Sequence, residues 1–108
     1  MNIEKYTQNA QQVVLDCQNI ASSMGHQMVD GEHVHLALLK QKDGLIPKLI
    51  KSMGVDPDAV TRDVQAEVDK LPKVSGSADT MYGTRRFNNI FVNAEKIAEQ
   101  FTDEYVSV

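Results

Sequence analysis

The sequence predicts an all-α domain, and three observations carry the prediction. Apolar residues recur at three- and four-residue steps along most of the chain, the spacing that lines one face of a helix. Capping residues stand ahead of these stretches and glycine or proline behind them, which is how helix ends are punctuated. The last periodic stretch also repeats the first at an offset of 77 residues.

The first helix carries Ala10, Val13, Val14, Cys17, Ile20, Ala21 and Met24 on its inward face. Thr7 is its N-cap, with a hydroxyl that accepts from an orphan backbone N–H, and Gly25 is its stop. A second helix starts at Asp30-Gly31-Glu32 and runs to about Lys42. Its Val34, Leu36, Ala37, Leu38 and Leu39 lie nearly all round, which predicts a central buried element. The third runs from about Leu45 to Met53, with Leu45, Ile46, Leu49, Ile50 and Met53 inward and Gly54 as its stop. Pro47 falls in the first turn, where a missing donor is tolerated. The fourth opens at Asp56-Pro57, carries Val60, Val64, Val68 and Leu71, and ends at Pro72. "PKVSGSADTMYG" then has turn formers and no period, so residues 72–83 read as a linker. Thr84 caps a last helix with Phe87, Ile90, Phe91, Ala94, Ile97, Ala98 and Phe101 inward.

Shifting the first helix by 77 residues places each inward position on an inward position of the last, and Thr7 on Thr84. Met28-Val29 lands on Tyr105-Val106. The chain therefore divides into a first repeat, 1–71, the linker, and the opening of a second repeat, 84–108. Val108 aligns with Gly31, so the second copy stops before its own Glu-His and buried helix. The expectation is a fragment of a longer natural chain, with an apolar helix face left uncovered.

Composition narrows the function. The 108 residues are 42% hydrophobic and 24% charged with a net charge of −4, ordinary for one soluble domain. An acidic chain whose one basic dipeptide is Arg85-Arg86 does not make a nucleic-acid phosphate its main ligand. No apolar run approaches the roughly 20 residues that cross a bilayer. The start "MNIEKYTQNA" is polar, and Cys17 has no cysteine to pair with; both fit a cytoplasmic protein.

The stretch "SMGHQMVDGEHVHLALLK" holds all three histidines and invites a metal reading. His33 and His35 stand about 200° apart on a helix, so they do not share an ion. Glu32 and His35 are better spaced, but two ligands fall short of the three or four that zinc takes. His26 joins only if its loop folds back. A small metal-dependent hydrolase on His26, Glu32, His33 and His35 is therefore the weaker alternative. The structural reading has Asp30 as cap, Glu32 complementing the helix dipole and His33 buried and hydrogen-bonded. Cys17 lies on the apolar stripe and reads as a small hydrophobe, not a nucleophile. Phe87, Phe91 and Phe101 read as core, with Phe91 toward the edge of its stripe and best placed to reach a groove.

The repeat, with "GHQMVDGEHVHLALL", "DGLIPKLIKSMGVDPDAV", "LPKVSG" and "DEYVSV", resembles the N-terminal domain of the Clp ATPases, and within them the ClpB disaggregating chaperones. The resemblance covers essentially the whole chain. It implies two pseudo-symmetric helical repeats, the second truncated here, tethered to ATPase rings further along the parent chain. The implied function is non-catalytic: engaging unfolded or aggregated polypeptides for a hexameric motor that works with the DnaK system. No G-x-x-x-x-G-K-[ST] phosphate loop occurs, so ATP and magnesium belong to the absent modules. Thr7 and Asp103 match family positions tied to substrate engagement, and Phe91 and Ile97 match apolar positions near its groove. Asn93 stands where some relatives in that family are apolar. The alternative within the family is a ClpA- or ClpC-type domain that docks a folded adaptor for proteolysis.

Overall fold

The computed structural model describes residues 2–74 and 81–108. A 3₁₀ turn at Ile3–Lys5 leads into α1 (Gln8–Ser23), followed by β1 (Met28–Val29), α2 (Gly31–Lys40), α3 (Leu45–Ser52) and α4 (Pro57–Asp69). After residues 75–80, part of the predicted linker and outside the described residues, come β2 (Tyr82–Gly83) and α5 (Arg85–Gln100). The all-α prediction holds, with one small addition. β1 and β2 pair in parallel, so the end of the predicted linker is a strand. Two residues of β-structure are too short to leave a period in the sequence.

Each predicted cap is in place. Thr7 Oγ1 accepts from the Ala10 N–H at 3.2 Å and Thr84 Oγ1 from the Phe87 N–H at 3.1 Å. Asp56 caps α4 ahead of Pro57, and Asp30 caps α2 in a reciprocal box with His33. α2 stops at Lys40 rather than Lys42; Asp43 takes a left-handed φ of 54° as the chain turns toward α3.

α2 is the central element that its apolar residues predict. Val34 and Ala37 face one core with Ala10, Val13, Cys17 and Ala21 of α1 and Phe87 and Phe91 of α5. Leu36 and Leu39 face a second core with Val64 and Val68 of α4. A helix apolar on one stripe serves one neighbour; a helix apolar all round separates two.

Two inward assignments are corrected. On α3 only Ile46 and Ile50 reach the second core; Leu45 and Leu49 are half-exposed and Met53 is 74% exposed. Eight residues give little more than two turns, and α2 and α4 cover one side of them. On α5, Phe87 and Phe91 are buried, but Ile97 is 51% and Phe101 70% exposed. Ala94 and Ala98 still pack against the core, while Ile90, also predicted inward, is partly exposed, so the end of α5 carries Ile97 and Phe101 into solvent.

The 77-residue offset recurs in the backbone. Val29 pairs with Gly83, and Val106 pairs in parallel with Tyr6. The Thr84 N–H donates to Val29 O at 2.9 Å, and the Thr7 N–H to Val106 O at 2.8 Å. Beyond each helix, His26 N–H donates to Ala21 O at 2.9 Å and Asp103 N–H to Ala98 O at 2.8 Å. In both places the segment after one helix pairs with the segment before the other, an exchange that ties α1 to α5.

Candidate functional site

An apolar groove runs where α1, α2, α5 and the last residues meet. Its walls are Ala10 and Val13 of α1, Val34 and Leu38 of α2, and Phe91 and Ala94 of α5, around a volume of about 150 Å³. Val106 also lines it, held by its bridge to Tyr6. A larger hollow of about 340 Å³ adjoins it, sharing Ala94, Val106, Ser107 and Val108. Ile97, Phe101 and Tyr105 line that hollow with Asp103 at its margin. Together they form a continuous surface, apolar with one carboxylate at its edge.

The four predicted site residues divide. Ile97 and Asp103 line the same hollow. Phe91 lines the groove but is only 7% exposed, with its ring edge-on to Phe87 at 4.9 Å and tilted against Tyr6 at 6.1 Å. It is a wall, not a contact residue that reaches outward. Phe91 does reach the groove, as the stripe suggested, while Phe101 is the phenylalanine that reaches solvent. Thr7 lines neither hollow and touches the surface only through its backbone bond to Val106. Asn93 is exposed and lines neither hollow.

Sequence reasoning missed Tyr6, Tyr105 and Val106. Tyr6 is buried at the groove, and its hydroxyl donates to Glu95 Oε1 at 3.0 Å. Burial, then that bond to a carboxylate, push the Tyr6 pKa well above its ordinary value, so it stays a neutral donor. One signal pointed to it: Tyr6 precedes Thr7 as Gly83 precedes Thr84.

The histidines assemble otherwise than a metal site does. The loop does fold back, bringing His26 Nδ1 to 2.9 Å from His33 Nε2. That is hydrogen-bond distance, shorter than the roughly 3.3 Å that separates two nitrogens held about 2 Å from a tetrahedral zinc. Glu32 pairs with Arg86, and His35 is exposed. Among the described residues no group of three or more His, Cys, Asp or Glu is placed to hold a metal. Cys17 is fully buried, and burial pushes its thiol up to about 12, which makes it a packing residue. No helix is long and apolar enough to cross a membrane among the described residues.

Similarity to known proteins identifies the family and the fold. The family pattern described as the Clp repeat (R) N-terminal domain matches residues 5–108. The ClpB chaperone of Clostridium perfringens is 42% identical over 111 residues, covering 100% of this chain and 13% of that protein. The ClpB chaperone of Nitratidesulfovibrio vulgaris is 41% identical with the same coverage. The chain thus spans about an eighth of the length of these curated relatives. Among solved structures, the Hsp104 N-terminal domain of Candida albicans superposes with a TM-score of 0.88 at 19% identity, covering 95% of this chain and 67% of that one. The N-terminal domain of the ClpV1 ATPase from E. coli EAEC gives 0.84 at 18% identity, covering 96% and 63%. At those identities the likeness is one of fold, and it is a helical fold like the one described above. Family membership rests on the sequence match: from residue 5 to its last residue, the chain belongs to the Clp N-terminal domain family.

Proposed function

We propose that this chain is the substrate-engaging N-terminal domain of a ClpB-type disaggregating chaperone, and that it recruits unfolded or aggregated polypeptide without catalysing a reaction. The supporting observation is the apolar surface of α5 and the segment after it, where Ile97, Phe101 and Tyr105 stand exposed around one hollow. Large apolar side chains exposed together mark a surface that meets another polypeptide or further residues of the parent chain, and the binding test below separates the two. Asp103 at the margin would select against acidic segments and favour basic ones. Thr7 would act indirectly, holding Val106 at the junction of groove and hollow. The division into repeats at 1–71 and 84–108, joined by 72–83, is part of the same proposal and draws support from the paired backbone bonds 77 residues apart.

In the parent protein, which relatives imply is far longer, the ring, ATP with magnesium and the DnaK partnership would lie outside this chain. Contact through each copy would be weak, and several tethered copies would make it effective. A cytoplasmic setting fits this role.

The test is binding to a permanently unfolded model protein, read by fluorescence anisotropy. Ile97→Asp places a charge in an exposed apolar hollow, so it should weaken binding at least about tenfold while leaving the helical circular dichroism unchanged. Phe91→Asp is the wrong probe, because it buries a charge in the core. Equal binding by wild type and Ile97→Asp would overturn the site. Saturable one-to-one binding of a single folded partner, with no affinity for unfolded chains, would replace recruitment by adaptor docking.

A further inference from the structure

His26 and His33 are 1% and 0% exposed, and their hydrogen bonds run in one direction. The Asp30 N–H donates to His33 Nδ1 at 2.9 Å, so that nitrogen carries no proton and His33 is the Nε2–H tautomer. His33 Nε2–H then donates to His26 Nδ1 at 2.9 Å, which fixes His26 as Nε2–H too. His26 Nε2 is buried without a hydrogen-bond partner among the described residues. The pair's two acceptor nitrogens are both occupied, so an added proton has no free site.

The consequence falls on Asp30 wherever the proton arrives. A proton on His33 Nδ1 faces the Asp30 N–H, donor against donor. A proton on His26 Nδ1 faces His33 Nε2–H, and His33 relieves that clash only by moving its own proton to Nδ1, against Asp30 again. Asp30 is the hinge of a second network. Its carboxylate accepts from the Gly31 N–H at 2.7 Å and from Thr84 Oγ1 at 2.8 Å, and lies 3.7 Å from Arg86 Nε. Arg86 also pairs with Glu32. These contacts join the first turn of α2 to the first turn of α5. The approach is close: a methyl group at Gly31 would stand 3.4 Å from the Arg86 guanidinium and 3.6 Å from Ile90. Further along, α2 and α5 form facing walls of the apolar groove through Val34, Leu38, Phe91 and Ala94.

We propose that His26 and His33 form a proton-sensitive latch: with both rings neutral it fastens α2 to α5, and proton uptake by the pair releases Asp30 and lets the helix N-termini, and so the groove between them, open. The charged groups around the pair set its threshold. Burial is the largest influence on both rings and keeps them neutral at ordinary pH. Lys73 opposes a charge on His26 and Asp69 at the end of α4 favours it. For His33, a charge on His26 opposes, while the carboxylates of Glu32 and Asp30 favour. The latch as a control of substrate entry rests on the function proposed above; the latch itself does not.

The test uses the 108-residue chain without substrate, so that failure of the substrate reading leaves it standing. Amide protection factors and histidine ring ¹⁵N shifts are followed together by NMR from about pH 7.5 to about pH 4.5. The Asp30 and Thr84 amides should lose protection as the rings titrate, by up to about tenfold per pH unit for each proton taken up, while the Val13 and Cys17 amides hold. Replacing both rings (His26→Gln with His33→Gln) keeps a donor–acceptor pair that does not titrate, and should abolish the loss; His35→Gln should leave it intact. Protection that persists to the acid limit, loss while both rings stay neutral, or equal loss in the double variant overturns the proposal. Should the double variant not fold, the wild-type ring and amide titrations alone decide between these outcomes.

Discussion

His26 and His33 give the folded domain a pH dependence with a definite sign. Burial, followed by Lys73 for His26 and by His26 for His33, holds both below the ordinary imidazole value of 6.5. The unfolded chain takes up protons near that value and the folded chain does not. Stability is therefore complete above about pH 6.5 and falls as pH drops below it, until the lowered folded values are reached. The expected slope reaches about 1.4 kcal/mol per pH unit for each histidine. Urea denaturation at a series of pH values measures it. Stability that holds level on acidification would contradict the assignment.

Among the elements, α1 and α5 are built alike but not covered alike. Both open on a threonine cap and both end in a left-handed residue, Gly25 with φ of 73° after α1 and Thr102 with φ of 54° after α5. A β-branched residue at positive φ is strained where glycine is not. Thr102→Gly should therefore raise stability by about 1 kcal/mol, read as a shift in the urea midpoint at constant slope. No gain would mean that Thr102 sits in that conformation without strain. α2 and α3 supply the contrast in burial. Leu36→Ala empties a fully buried site between α2 and α4 and should cost about 2–5 kcal/mol. Met53→Ala, at an exposed position on α3, should change stability by less than about 0.5 kcal/mol. Similar losses at both positions would mean that α3 is covered in solution.

At the scale of the molecule, the exchanged pairing of Val29 with Gly83 and Val106 with Tyr6 makes the ends of the chain interdependent. Val29 and Val106 are both buried in the core shared by α1, α2 and α5. Val29→Ala and Val106→Ala should thus cost comparable amounts, about 2 kcal/mol each, although one lies mid-chain and the other two residues from the last. Thermal unfolding followed by circular dichroism checks it. A negligible cost at Val106 would mean that the final segment is not part of the core, and the groove would lose that part of its lining.

Much of the fold was legible because helices are local. Caps, stops and three- to four-residue steps depend on neighbours in sequence, and Thr7, Asp30, Asp56 and Thr84 all cap where the pattern places them. The 77-residue offset was legible for the same reason. Periodicity identifies an apolar face but not what lies against it. It could not tell that Phe91 is a wall while Phe101 stands in solvent, or that Met53 is bare while Ile50 is packed. Nor could it show His26 turned back onto His33, Tyr6 reaching Glu95 across 89 residues, or β1 meeting β2. The last two join segments distant in the chain, and the histidine pair, seven residues apart, depends on how its loop folds back. By itself the sequence determined which helices form and that two of them share one pattern of cap and apolar face; only the tertiary structure decided which faces are covered, because burial belongs to the neighbour that a face meets and not to the face.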